Sequence, residues 1–322
     1  VKEWALDSAF ILQQFFNALT IGSIYALIAL GYTMVYGVLR LINFVHGELF
    51  AIGAYVSVVL IGLAAGGSIG TGPLVLFGIF IAVFLIVGML GVGLERIAYK
   101  PLRHSSRLAP LLSALGLSLA VQSAIQLIWG PAPIGFPAIL PNTRIEIWGA
   151  SITTTQLGIT VLALVLLAGL TVFIERTRIG IHVRAVSENA RTAAMMGINV
   201  NRTISLIFLI GPGLGGLAGI LYAGYYGVMT PTMGAIVGLK AFTAAILGGI
   251  GSIPGAVLGG LLLGFLEVFG TSMLPILTNG ALGTEYRDIF AFTALILVLL
   301  FRPAGLIGEP VSEETTVYKS DF

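Results

Sequence analysis

The chain has 322 residues, with 57% hydrophobic side chains, 9% charged side chains, a mean hydropathy of +1.03 and a net charge of +2. Soluble domains carry about 25% charged residues, so this composition excludes an ordinary soluble fold and gives no sign of nucleic-acid binding. The absence of cysteine excludes disulfides, thiolate catalysis and cysteine-ligated metal.

A helix needs about 20 apolar residues to cross the hydrocarbon. Apolar runs punctuated by Gly, Pro and charge predict spans near 10–37, 41–64, 73–95, 108–129, 153–175, 203–229, 234–250, 254–275 and 287–302. The best count is nine within a range of eight to ten, because the seventh run is short and Pro212 interrupts the sixth. The fold class is therefore an all-α polytopic membrane bundle, a single transmembrane domain over 1–322. The first run lacks the basic flank and short apolar core of a cleavable signal and reads as a retained span.

Charge sets the expected orientation. Of sixteen Lys and Arg, four lie in 96–107 and five in 176–202, two segments separated by two spans. The positive-inside rule places both in the cytoplasm, together with Arg40, Arg302 and the carboxyl tail, and places the amino terminus outside. Trp4, Trp129 and Trp148 then share the outer interface, beside an extended loop over 130–151 containing Pro131, Pro133, Pro137 and Pro141.

Ionisable groups at membrane depth are costly and mark sites or clamps. Asn43, His46 and Glu48 cluster near the start of the second span, flanked by Gly47 and Gly53. They read first as a polar hinge, second as lining of a translocation path, and last as a catalytic pair. His46-x-Glu48 is too sparse for a metal site, and His46, His104 and His182 are far apart in sequence. Lys240 and Glu267 fall about 9 and 12 Å from the outer boundary on adjacent antiparallel spans, at a rise of about 1.5 Å per residue. That match in depth predicts an ion pair, either a clamp on helix register or a contact for a zwitterion. Gly211, Gly215 and Gly219, then Gly255 and Gly259, then Gly260 and Gly264, recur at four-residue spacing and predict close helix packing. Between two spans, 248–260 reads as a tight re-entry. No GxxxxGK[ST] phosphate loop is present anywhere.

The longest polar interruption, 176–202, holds five arginines and one acidic residue. Within it Ser187 is the expected N-cap, Glu188 suits the positive helix end, and Gly197 supplies the left-handed stop. The enclosed helix sets Ala190, Ala193 and Ala194 on one face, with Arg191 between them and Met195 and Met196 near its end. Small residues beside adaptable methionines suit insertion into a partner's groove; the alternative is a helix lying on its own protein.

NALTIGSIYALIALGYTMVYG, LINFVHGELFAIGAYVS, LERIAYKPLR, RAVSENARTAAMMGINVNR and KAFTAAILGGIGSIPGAVLGGLLLG, in this order, resemble the LivH-type permeases of bacterial branched-chain amino acid ABC importers. The resemblance implies a fold like that of the ribose-type and vitamin B12-type importers, in the bacterial inner membrane. It implies a second, related permease subunit, two cytoplasmic ATPases that bind ATP and Mg, and a periplasmic binding protein. This chain would itself be non-enzymatic and without cofactor, and 187–197 would be its coupling helix. Asn17, Gly22 and Tyr25 match the family pattern with no chemistry assigned. Permeases for urea, short amides and other neutral amino acids are closely similar. A stand-alone transporter or channel, and an intramembrane enzyme built on His46 and Glu48, are the readings from other classes.

Overall fold

The computed structural model describes residues 8–67, 70, 72–103, 105, 108–138, 143–302 and 304–308. Trp4, His104, Pro141 and the carboxyl tail of the sequence reading lie outside the described residues. The described chain is a bundle of α-helices: α1 (Ser8–Leu39), α2 (Val45–Gly66), α3 (Pro73–Leu94), α4 (Leu108–Trp129), α5 (Thr154–Arg176), α6 (Arg178–Glu188), α7 (Ala190–Met195), α8 (Val200–Tyr226), α9 (Met233–Gly248), α10 (Ile253–Leu277) and α11 (Arg287–Phe301). All nine predicted apolar segments are helical. Among the described residues, seven helices are long and apolar enough to cross a membrane. The 16 residues of α9 reach only about 24 Å and the 15 of α11 about 22 Å, short of a hydrocarbon core of about 30 Å.

The centre of the bundle is α1, with 94% of its apolar window buried. Small residues explain how the other helices approach it. Gly260 abuts the Ala26 backbone, Gly264 abuts Gly22, and Gly211 faces Gly31. Gly53 meets Gly216 and Gly219 meets the Phe50 carbonyl, which joins α2 to α8. Gly255 and Gly259 abut Gly248 across the α9–α10 contact. All seven glycines of the four-residue series thus face a partner helix or, for Gly215, the His46 ring. Such backbone proximity is how membrane helices gain dispersion contacts that lipid alone would equal elsewhere.

Two expectations change. Pro212 does not interrupt its span: α8 runs unbroken past it, the ring lying against Gly91 of α3. Of the 248–260 stretch, only 249–252 form a turn, with Gly249 and Gly251 at positive φ (109° and 99°); Gly248 ends α9 and the rest is the start of α10. Ser252 then caps α10 by accepting from Gly255 N at 3.2 Å. The loop over 130–151 is not simply extended either. It holds β1 (Ile134–Gly135), β2 (Arg144–Ile147) and β3 (Ala150–Thr153), with β4 (Val228–Met229) pairing antiparallel to β1. β2 and β3 form a hairpin turned by Trp148 and Gly149, both at positive φ (47° and 80°). Two left-handed residues in a two-residue turn match the right-handed twist of the strands.

Candidate functional site

The basic loops meet at one end of the bundle. α3 continues into a single π-helical turn, Glu95–Tyr99. Buried Glu95 contacts Arg103 through Oε1 and accepts from Ser205 Oγ through Oε2 at 3.1 Å. Arg103 Nη1 also donates to Asn201 Oδ1 at 2.9 Å. Segment 95–103 is thereby tied to the start of α8. Leu306 N and Ile307 N donate to the carbonyls of Leu247 and Gly248 at the same end, both at 3.0 Å.

Segment 176–202 folds as two helices, not one. Thr177 starts α6, its hydroxyl accepting from Gly180 N at 3.1 Å. Gly180, Val183 and Val186 face inward, and Arg184 reaches back to the Ile174 carbonyl. Ser187, the expected N-cap, sits instead in the last turn of α6, where its hydroxyl donates to the Val183 carbonyl at 2.9 Å. Glu188 closes that helix rather than opening the next. The cap of α7 is Asn189, whose Oδ1 accepts from Thr192 N at 3.0 Å. Both Ser and Asn are preferred caps, and the inward face of α6 decides between them: its valines hold the chain helical past Ser187. Gly197, at φ 84°, does stop the second helix. Ile198 N donates to Ala193 O and Gly197 N to Ala194 O, both at 3.0 Å, the paired bonds of a Schellman stop.

The expected alanine face is also divided. Ala193 is 4% exposed and packs into the protein. Ala190, Arg191 and Ala194 are exposed, as are Met195 (74%) and Met196 (79%). A short polar-flanked ridge of Ala194, Met195 and Met196 therefore projects from the basic end.

Inside the bundle, Asn43, His46 and Glu48 are all buried, but no hydrogen bond joins one side chain to another. Asn43 Oδ1 accepts from Tyr99 OH at 2.7 Å, tying the start of α2 to the π turn. The His46 ring lies 4.6 Å from that of Tyr32 and between Gly31 and Gly215, and its nitrogens make no hydrogen bond. Glu48 Oε1 accepts from Ser118 Oγ of α4 at 3.2 Å, while Oε2 faces Gly234 without a hydrogen-bond partner. With His46 held away from Glu48, the pair is not arranged as a nucleophile and its base.

Lys240 and Glu267 do pair, Nζ to Oε1 at 3.1 Å, and they belong to a larger network. Arg287 also contacts Glu267 Oε1, Lys240 Nζ lies 2.6 Å from Asp288 Oδ1, and Tyr25 OH donates to Glu267 Oε2 at 2.9 Å. The Arg287 guanidinium stands 5.4 Å over the Tyr226 ring. Two positive and two negative charges thus cancel around the buried Lys240 and Glu267, as burial in a poorly solvating medium demands. Arg287 and Asp288 escaped the sequence reading because they sit at the boundary of the ninth apolar run. An adjacent Arg-Asp pair opening a span was the available signal. Glu95 and Arg103 escaped it because nothing in sequence links them to Ser205.

Asn17, Gly22 and Tyr25 now have contacts. Asn17 Oδ1 accepts from Gln156 Nε2 at 2.8 Å, Gly22 packs on Leu261, and Tyr25 serves Glu267. Together with the Thr20–Thr160 hydroxyl contact of 2.8 Å, they stitch α1 to α5 and α10.

The family described as branched-chain amino acid transport system / permease component matches residues 14–299. The high-affinity branched-chain amino acid transport system permease protein BraD of Pseudomonas aeruginosa is 44% identical over 94% of this chain and 97% of its own. The corresponding LivH protein of Escherichia coli K12 is 43% identical over 95% of this chain and 98% of its own. Among solved structures, PsaBC from Streptococcus pneumoniae in complex with Fab matches over 94% of this chain and 95% of its own at 14% identity, with a TM-score of 0.47. With its bundle of apolar helices and a family match spanning most of its length, the chain belongs to the permease component family of branched-chain amino acid transport systems.

Proposed function

We propose that this chain is the transmembrane permease subunit of an ATP-driven importer for leucine-, isoleucine- and valine-like amino acids. The observation that carries the reading is the near full-length likeness to two permeases of such systems. In this reading the basic end faces the cytoplasm, where the positive-inside rule puts it, and the β2–β3 hairpin faces outward. The chain holds no phosphate loop, so ATP and Mg bind to two cytoplasmic ATPases. A related second permease completes the membrane core and a periplasmic protein delivers the amino acid.

The ATPases engage the ridge of Ala194, Met195 and Met196. Unbranched methionine side chains adapt to an irregular groove, and Ala193 roots the ridge in the bundle. A push on α7 reaches α6 at Asn189 and α8 at Asn199, each of which caps the helix that follows it. Asn43, His46, Glu48, Lys240 and Glu267 remain the proposed hinge and path-lining set, with the charged network as a register clamp.

The test is reconstitution of the whole importer in liposomes. Leucine uptake is expected to require the ATPases and the binding protein. Uptake that survives omission of the ATPases overturns the reading in favour of a stand-alone transporter.

A further inference from the structure

One side of the bundle is open between two helices that do not close on each other. α3 and α5 flank a cavity of about 1020 Å³ floored by α8. Its polar lining is confined to Thr153, Thr155, Gln156, Tyr225 and Tyr226, all at the end carrying the β2–β3 hairpin, and every other lining residue is apolar or glycine. Its deepest wall residues are Phe84 on α3, Leu166 on α5 and Leu214 on α8. Counted from Pro73, Thr154 and Tyr226 at the hairpin end, these lie 11, 12 and 12 residues along, or about 16 to 18 Å deep at about 1.5 Å per residue. Three independent walls therefore stop at one depth, close to half of a hydrocarbon core of about 30 Å. Below that level α3 closes on α8. Side chains added at Gly88 and Gly91 would run into Leu209, Phe208 and Pro212.

We propose that this crevice binds the acyl chains of a membrane phospholipid entering from one leaflet. Its depth is one leaflet, its walls are hydrocarbon, and its hydrogen-bonding groups gather where a glycerol backbone would rest. Away from its hairpin end the lining offers water no side chain that forms hydrogen bonds. A helix of the partner permease would need a groove running the full thickness of the membrane, and this one ends half-way. The zwitterionic head of an amino acid would find no charged side chain among the lining residues. The choice of the outer leaflet rests on the sidedness proposed above, whereas the chemistry of the occupant does not.

The chain lacks cysteine, so single nitroxide labels can be placed without background. Leu162→Cys puts a label in the crevice. Val161→Cys puts one at the same depth on the outward side of α5, where Val161 is exposed. The importer is assembled with its partner permease in phosphatidylethanolamine–phosphatidylglycerol bilayers. The label at 162 is expected to be relaxed by oxygen about as strongly as that at 161, and to be shielded from a water-soluble nickel complex. Shielding from both reagents would mean a protein occupant, and relaxation by nickel a wet channel; either overturns the proposal.

A second variant needs no label. A Cβ at Gly224 would lie 3.8 Å from Phe136 and 3.9 Å from Ile159, ordinary contact distances, so Gly224→Leu has room for its Cβ and narrows the crevice at its polar end, where the glycerol backbone would rest. Native mass spectrometry of the detergent-purified importer should show one phospholipid fewer for each copy of this chain. An unchanged count overturns the proposal even where leucine uptake is normal, whereas an unsubstituted importer that carries the lipid but takes up no leucine would count against the transport reading alone.

Discussion

Glu267 is the residue at which five helices settle their charges. It accepts from Tyr25 of α1, pairs with Lys240 of α9 and Arg287 of α11, and belongs itself to α10, while Arg287 leans on Tyr226 of α8. Removing one member of a buried pair strands the other charge and costs about 3–5 kcal/mol. Glu267→Gln leaves Lys240 with Asp288 but deprives Arg287 of its carboxylate. Thermal unfolding in detergent should therefore show a loss in that range. Reversing Lys240 and Glu267 together is not expected to recover it. A lysine at 267 would meet Arg287, and a glutamate at 240 would meet Asp288, so the doubly reversed chain should melt no higher than either single variant. Matching depth on neighbouring spans was enough to find the Lys240–Glu267 contact in sequence. The Arg287–Asp288 pair was visible at the start of the ninth run, but its joining this network was not, because α11 is placed by tertiary packing, with its first turn turned into the bundle.

Among the helices, glycine separates positions that set distance from positions that do not. At Gly219 a methyl group would run into the Phe50 carbonyl, so Gly219→Ala must push α2 and α8 apart. Overpacking of this kind costs about 1–3 kcal/mol. At Gly62, also within a helix, nothing lies within 4 Å of an added Cβ. There alanine should be neutral or stabilising by up to about 1 kcal/mol through helix propensity. Opposite shifts in melting temperature for these two Gly→Ala changes are the expected outcome. The four-residue glycine spacing showed in sequence that close packing occurs, but not which neighbour each glycine meets.

The same contrast of inward and outward positions applies to α7. Ala194→Glu alters an exposed residue and should leave the melting temperature nearly unchanged while weakening co-purification of the ATPases and abolishing leucine uptake. Ala193→Glu buries an unpaired carboxylate and should destabilise the chain outright. If Ala194→Glu retains full uptake, the ridge does not engage the ATPases. The sequence located this element and its glycine stop, yet misplaced its start. Ser187 and Asn189 are equivalent as cap formers, and only the burial of Val183 and Val186 shows that the preceding residues are already helical.

For the whole molecule, periodic apolarity was the strongest signal, and each of the nine apolar segments is a helix. The shortness of α9 already showed in the seventh run, whereas α11, with 15 residues, gave no such sign. Both helices are held by the charges they bring to α10. The structure also gathers the basic loops at one end, through Arg103 to Asn201 and through the 306–307 backbone to the end of α9. Gly37, close to the end of α1, lies there against Ser187. At the other end, Ser151 of the hairpin donates to Gln13 of α1 at 2.8 Å. This geometry makes sidedness a single question, because all the loops at one end must share one compartment. In a chain otherwise free of cysteine, Met195→Cys and Glu146→Cys place one thiol at each end, both at exposed positions. An impermeant maleimide should label position 195 only in inside-out vesicles and position 146 only in right-side-out vesicles. The reverse pattern would turn the whole bundle over, place the methionine ridge outside the cell, and remove the ATPases from its reach. Labelling of both positions from one side would mean that no odd number of crossings lies between Glu146 and Met195. Only α5 lies between them as a full-length span, so the measurement tests one crossing and, with it, the direction of every other.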